Sequence, residues 1–403
     1  MSDADVVIVG AGAAGLSLAH RLCALAPRER PAVVLVEAPP GPRRPGERTW
    51  CYWEEPGGPY DAWLTAAWDR VRVRGADGTS TTGRTAPLRY KMLRSREFSA
   101  AVGARIAATD GVRRLTATVD RIADLSPGRA PGAEVHGTRA DGSPLRLRAR
   151  WVFDSRPPSA PPPARTVLLQ HFRGWFVRTR RPVFRPDTVD LMDFRTPQPA
   201  HGLSFGYVLP TGARTALVEY TEFSRRVLPG ADYDRALGHY LEEVLAAGPY
   251  ETTGVEHGVI PMADSRPAPR AGAAVFRIGA AGGATRPATG YAFAGIQRQT
   301  RAVAALLRAG RTPLPPPAHR ARSLAMDAVL LRALDTGRID GADFFARLFR
   351  TVPTPTLLRF LDGATRPVED LALGLRTPVL PMLRTALELP LLRRSPSASG
   401  KAP

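Results

Sequence analysis

The stretch from Asp5 to Glu37 constrains this chain more than any other. Asp5-Val-Val-Ile-Val9 is a short apolar run ending at a glycine, the pattern of a strand buried on both faces of a parallel sheet. Ala13 to Leu25 places apolar residues at Leu16, Ala19, Leu22 and Leu25, a helical spacing, and Val33 to Glu37 is a second apolar strand. Strand, helix and strand in such short compass make a βαβ unit. Its first turn is Gly10-Ala-Gly12-Ala-Ala-Gly15. The first glycine permits the tight turn, the second lets a pyrophosphate approach the backbone, and the third lets the helix pack close to the strand. The helix N-terminus then faces the phosphates. Glu37 ends the second strand, where a carboxylate can bond a ribose hydroxyl. The combination predicts a dinucleotide site; the plain alternative is a glycine-rich turn without a ligand.

Later segments favour FAD over NAD as that dinucleotide. The spacing predicts a helix from Arg94 to Ala108, and strands over Val112–Leu125 and Glu134–Phe153 with a hairpin turn at Asp141-Gly142. This succession resembles the second half of the glutathione-reductase type of flavin fold. Arg277-Ile-Gly279-Ala-Ala-Gly-Gly283, before a helix from Tyr291, resembles the late flavin-binding stretch of the same folds. Ala280 departs there from the usual Gly-Asp pair. Gly282, Gly283 and Gly290 would let the backbone approach the flavin closely. Residues 167 to 221 alternate like antiparallel strands, Tyr233 to Leu245 reads as an amphipathic helix, and the chain beyond the prolines at 313–317 reads as helical to about Arg394.

The expected fold is therefore α/β: a Rossmann-like FAD-binding domain of the glutathione-reductase or monooxygenase type, an antiparallel-sheet substrate domain and a helical C-terminal region. The 403 residues divide as a discontinuous FAD-binding domain (1–60, 90–160 and 255–310), a substrate domain (61–89 and 161–254), the helical region (311–394) and a disordered tail (395–403).

The net charge of +19 fits either an anionic partner or arginine-rich coding bias, since only Lys91 and Lys401 are lysines. Zinc-finger spacing and RNA-binding aromatic signatures are missing, which argues against nucleic acid. Cys23 and Cys51 build no disulfide framework, the start of the chain does not read as a signal peptide, and no apolar stretch is long enough to span a bilayer. A cytoplasmic protein is expected. The seven histidines lack metal-ligand spacing, so no metal is expected.

The middle of the chain narrows the choice. Arg48-Thr-Trp50-Cys-Tyr-Trp53, Leu191-Met-Asp193-Phe, Phe205-Gly-Tyr-Val-Leu-Pro210, Ala216-Leu-Val-Glu219-Tyr-Thr221, Val259-Ile-Pro261-Met262 and Pro287-Ala-Thr-Gly290-Tyr291 occur in that order. Together they resemble the motifs of the flavin-dependent lycopene cyclases. The resemblance implies cyclisation of the acyclic ends of lycopene, or a related acyclic carotenoid, to β-rings. It also implies reduced FAD, with NAD(P)H as reductant, although the reaction has no net redox change. Glu219 and Thr221 match the family's acidic motif, but Tyr220 stands where many members carry a second acid, which puts a carboxylate pair there in doubt.

Ring closure protonates a terminal double bond, passes through a tertiary cation and ends with loss of a proton. Such a site must exclude water and stabilise a cation without capturing it, through aromatic faces and nearby negative charge. Glu219 is the candidate catalytic carboxyl, as acid, base or cation stabiliser; on pattern alone it would be a strand-end acid paired with an arginine such as Arg214. Asp193 is the second catalytic candidate, with a pocket or flavin-orienting role set against structural hydrogen bonding. Trp50, Tyr52, Trp53, Trp175, Phe205 and Tyr207 are candidate pocket walls, each alone more often core. Apolar runs mixed with arginines from Ser323 to Arg394 suit either peripheral attachment to the inner face of the cell membrane or an ordinary helical cap. A flavin monooxygenase, a prenyl-chain reductase and a non-catalytic prenyl-binding escort protein share the expected fold, and fold alone does not exclude them. The oligomeric state is not legible.

Overall fold

The structure, a computed structural model, describes residues 2–44, 46–125, 132–158 and 160–395. Along the chain it runs β1 (Ala4–Val9), α1 (Ala13–Cys23), β2 (Val33–Glu37), β3 (Thr49–Glu54), β4 (Ala66–Trp68), β5 (Arg70–Arg74), β6 (Ser80–Arg84), β7 (Arg89–Arg94) and α2 (Ser95–Ala107). Then come β8 (Val112–Asp124), β9 (Ala133–Arg139), β10 (Pro144–Asp154), β11 (Val167–Thr179), β12 (Thr188–Asp193), β13 (Leu203–Pro210), β14 (Thr215–Ser224), α3 (Gly230–His239), β15 (Tyr250–Ala263) and β16 (Val275–Arg277). The last part is helical: α4 (Phe293–Arg308), α5 (Ala321–Asp335), α6 (Gly341–Thr351), α7 (Thr354–Leu361), α8 (Pro367–Gly374) and α9 (Val379–Glu388).

The βαβ unit forms as its pattern predicts. β1 pairs in parallel with β2 on one side and β10 on the other, while β8 extends the parallel set beyond β2 and β16 beyond β10. β1 and β2 are apolar on both faces because both are covered, and α1, α2 and α4 contribute to the same core as these strands. The outer parts of β8 and β10 pair antiparallel with β9. Parallel pairing brings the carboxyl ends of β1, β2, β10 and β16 to one edge of the sheet, where ligands bind in such folds.

A second, seven-stranded sheet has the order β15-β11-β14-β13-β12-β5-β6, and β3, β7 and β4 form a small third sheet. Residues 255–263, expected with the nucleotide-binding part, lie instead in the seven-stranded sheet, because β15 pairs with β11 along its whole length. The two faces of this sheet are both covered. On one, Leu217 and Phe223 of β14 pack into a core shared with α5, α6 and α7; on the other, Ala216, Val218 and Tyr220 pack against α3. Of the expected disordered tail, Ser395 bridges to Ala164, and residues 396–403 lie outside the described residues. Among the described residues no helix is long and apolar enough to cross a membrane.

Candidate active site

The strand pleat decides which side chains meet. In the seven-stranded sheet Glu256 of β15 and Glu219 of β14 both pair with Gly174 of β11, and Glu219 pairs on its other side with Tyr207 of β13. Paired residues of neighbouring strands share a face, so Glu256, Gly174, Glu219 and Tyr207 form one row. The glycine makes the row possible. A Cβ at Gly174 would lie 2.7 Å from Glu219 Cγ and 3.1 Å from its Oε1, so the Glu219 side chain occupies the space above β11 and leans toward β15.

The two carboxyls are held differently. The Thr49 backbone N–H donates to Glu256 Oε1 and its hydroxyl to Oε2, each at 2.7 Å. Burial pushes the pKa of Glu256 up, and those bonds, with Arg48 and Arg94 nearby, offset the rise only in part. Glu219 makes no hydrogen bond to the described residues, and burial followed by the charge of Glu256 pushes its pKa well above the ordinary value. An unbonded carboxylate in such a place costs several kcal/mol. Both carboxyls therefore hold a proton more readily than an ordinary glutamate, and Glu219, which has no hydrogen bond to favour its charge, more readily than Glu256.

Beside this pair stands an aromatic wall. The Tyr90 hydroxyl lies 2.6 Å from that of Tyr207 and 3.2 Å from that of Tyr291. Trp53 packs on Tyr90 at 5.8 Å between ring centroids and edge-on to Tyr291 at 4.7 Å. Cys51 sits against Tyr207 and Tyr90. Burial raises the pKa of all three phenols and of the Cys51 thiol, so none supplies an anionic nucleophile. Of the six aromatic residues expected as walls, Trp53 and Tyr207 take this place. Phe205 packs with Phe194 and Phe223 in the same core. The alternation of β3 turns Trp50 and Tyr52 the other way, onto Phe293, and Trp175 packs near Tyr250 on the far face of the large sheet.

Asp193 is not brought to Glu219. It pairs with Gly206, which pairs in turn with Tyr220, so its row faces the opposite side of the sheet. There Arg195 grips its carboxylate through Nε at 2.9 Å and Nη2 at 2.5 Å, and Tyr240 donates a hydrogen bond at 3.0 Å. Tyr240 reaches it across Gly206, where a Cβ would lie 2.2 Å from the phenol ring.

The cofactor candidates other than Gly290, which lies against Gln170 of β11, gather at the carboxyl edge of the parallel sheet. Gly10 has φ +99°, and a Cβ at Gly15 would lie 1.9 Å from the Gly10 carbonyl oxygen. Gly12 caps α1 with open space where its Cβ would be; the first turn has no side-chain cap and no acid, leaving its N–H groups for phosphates. Glu37 ends β2 as expected but is held by Arg44 at 3.0 Å and by Arg114, so a ribose hydroxyl would share it with two arginines. Gly279, at φ +67°, approaches the first turn of α1 so closely that its Cβ would lie 2.8 Å from that of Ala14. Gln299 braces this turn, accepting from the Gly279 N–H at 3.3 Å and donating to the Gly282 carbonyl at 2.8 Å. Gly283 ends the turn in the left-handed region. Gly290, at φ +72°, is in the left-handed region, where an added side chain is strained, and a Cβ there would also displace the end of the Gln170 side chain, 2.0 Å away at Oε1. These residues fit a dinucleotide: the open N–H groups of α1 would suit a pyrophosphate, and the glycine-bearing turn at 279–283 would allow a close approach.

Residues 5–387 match the family described as lycopene cyclase protein. The chain belongs to the lycopene cyclase family. A Deinococcus radiodurans protein described as an uncharacterized carotenoid cyclase is 27% identical over 432 residues, covering 100% of this chain and 96% of its relative. Among solved structures, a geranylgeranyl bacteriochlorophyll reductase-like protein from Thermoplasma acidophilum superposes with a TM-score of 0.57 at 12% identity, covering 96% of each chain. A p-nitrophenol 4-monooxygenase from Pseudomonas putida gives 0.57 at 16% identity, covering 95% of this chain and 97% of its own. A flavoprotein/dehydrogenase from Cytophaga hutchinsonii gives 0.57 at 14%, covering 96% and 99%. The likeness is one of fold, the FAD-binding α/β fold expected from the sequence. Within this family member, Glu256, Gly174, Tyr90 and Cys51 were not legible as parts of the site. The one local signal for Glu256 is an acid between Gly254 and Gly258 in a strand-like stretch.

Proposed function

We propose that this protein is a flavin-dependent carotenoid cyclase that closes the acyclic ends of lycopene, or of a related carotene, to β-rings. The observation that carries the reading is the Glu219–Glu256 pair across Gly174, beside the Trp53, Tyr90, Tyr207 and Tyr291 wall. Glu219, whose hold on a proton is strengthened by burial and by its neighbour's charge, is poised as the acid that protonates the terminal double bond. Glu256, fixed by Thr49, keeps a negative charge near the resulting tertiary cation. The aromatic faces stabilise that cation, and the neutral phenols and thiol do not trap it. The carboxylate left on Glu219 can take the final proton, so the reaction is an isomerisation.

FAD would be held by Gly10, Gly12, Gly15 and Glu37 at one end and by Gly279, Gly282, Gly283 and Gly290 at the other. When bound in its reduced anionic form, it supplies further negative charge toward the cation, and NAD(P)H is the reductant that would produce that form. The nucleotide-binding part comprises the parallel sheet with α1, α2 and α4, and the substrate part the large sheet with its helices. A substrate that dissolves in the bilayer suits a cytoplasmic protein attached to the inner face of the cell membrane.

The test is pigment analysis of bacterial cells that accumulate lycopene and express this chain, its Glu219→Gln variant or its Glu256→Gln variant. The expected outcome is γ- or β-carotene with the parent chain and retained lycopene with Glu219→Gln. Glu256→Gln should slow conversion while leaving a residue. Unchanged lycopene in cells containing folded, flavin-loaded parent protein would overturn the reading.

A further inference from the structure

The last two helices present an apolar surface that nothing among the described residues covers. Of ten exposed large apolar side chains, eight fall between Val368 and Leu391, so this is a patch rather than scattered surface. Val368, Leu371 and Leu375 follow one another at helical spacing on and just after α8. Leu380, Leu383 and Leu387 repeat that spacing on α9, with Leu380 79% exposed, and Leu391 continues it at 83%. The opposite side of each helix is anchored. Leu373 is buried in, and Met382 packs against, the core that also contains Trp53, Tyr90 and Phe205 and borders Tyr207 and Tyr291.

The charges select the occupant. Every acid of these helices is already neutralised from the body of the protein. Arg359 holds Glu369 at 2.5 Å, Arg322 holds Asp370 at 2.7 Å, and Arg332 and Arg338 hold Glu388. Exposed Arg376, Arg384 and Arg393 have no ion-pair partner among the described residues. Arg384 stands one turn from both Leu380 and Leu387. An apolar face flanked by uncompensated arginines matches an anionic lipid surface, with leucines below the headgroups and guanidiniums among the phosphates.

We propose that α8 and α9 seat this protein on an anionic bilayer, with the apolar core behind them continuing to the carboxyl pair and its aromatic wall. The location of the carotenoid site rests on the reading above; the docking surface does not, and its test needs no turnover. The flavin-loaded protein is sedimented with vesicles of equal parts phosphatidylglycerol and phosphatidylcholine, and with phosphatidylcholine alone. Binding should require phosphatidylglycerol and weaken with salt. The Leu380→Ser/Leu387→Ser variant should lose at least about tenfold in partitioning. Arg376→Gln and Arg384→Gln should each lose roughly fivefold. Arg113→Gln/Arg121→Gln, exposed on the strand β8, should bind as the parent does. All these positions are on the surface, so circular dichroism and flavin content should stay unchanged. Absence of binding to phosphatidylglycerol vesicles, or equal loss with the β8 variant, would overturn the proposal. So would leucine variants that dissociate an oligomer and leave vesicle binding intact, which would assign the face to a second copy of this chain.

Discussion

Glu219 is a glutamate whose surroundings disfavour its charge, and that has a consequence for stability as well as for chemistry. Its pKa in the folded protein lies above its value in the unfolded chain. Between those two values the folded state holds a proton that the unfolded state has released, so the contribution of Glu219 to stability falls as pH rises. Below the ordinary glutamate range, near about 4.3, both states are protonated and no penalty exists. Glu219→Gln should therefore abolish cyclisation and at the same time make the protein relatively more stable at alkaline pH, by up to about 1.4 kcal/mol for each pH unit over that interval. Urea midpoints of both proteins from pH 5 to pH 8 check this; parallel curves would mean that Glu219 titrates normally. Gly174 offers a complementary test. An added methyl group would press on the Glu219 Cγ and on Leu217. Gly174→Ala should cost about 1–3 kcal/mol and should drop turnover at least about tenfold by displacing the acid from a geometry fixed to within fractions of an ångström. Pigment conversion and thermal denaturation on the same preparation separate the two effects.

At the scale of single strands, alternation tells which side chains share a face, and pairing tells which strands meet. The first is local and was readable: β14 reads as a strand, with Leu217, Glu219 and Thr221 on one side. The second depends on contacts between distant segments. Glu256 lies 82 residues beyond Gly174, so no pattern near either residue announces that they pair. The same limit applies to Asp193. Its place in a short motif suggested a pocket or flavin-orienting role, set against structural hydrogen bonding; the register of β12 on β13 sends it to the face opposite Glu219, against Arg195 and Tyr240. By contrast, the nucleotide-binding strands and the glycine turn were legible because each needs only its own neighbours and a backbone conformation that other residues adopt at a cost. If Asp193 holds structure, Asp193→Asn should lower stability by about 1–3 kcal/mol, the penalty for leaving a partly buried guanidinium with a weaker partner. The turnover of the protein that remains folded should stay within about twofold of the parent. A loss of turnover without a fall in melting temperature would instead give Asp193 a part in the site.

At the scale of the whole molecule, the site is assembled from every sheet except the one that frames the nucleotide turn. Cys51, Trp53 and Tyr90 come from the small sheet, Tyr207, Glu219 and Glu256 from the large one, and Tyr291 from the loop that follows the turn at 279–283. That loop is tied to the helical region by a buried ion pair, Arg286 to Asp327 of α5 at 2.7 Å. A flavin fold so arranged could in principle deliver either a hydride or a proton to an alkene, and the carboxyl pair argues for the proton. The two outcomes differ in atom balance. Protonation and later deprotonation at different carbons leave the molecular formula unchanged. In deuterium oxide, where the Glu219 proton exchanges with solvent, each ring closed should therefore retain a single deuterium at the carbon first protonated. A reductase would add two hydrogens to each double bond and consume one NAD(P)H for each event, whereas a cyclase should consume far less reductant than the product it forms. Mass spectrometry of the carotenoid, with the absorbance of NADPH followed in the same reaction, decides between them: a product two mass units heavier in ordinary water would place this chain among the reductases of its fold.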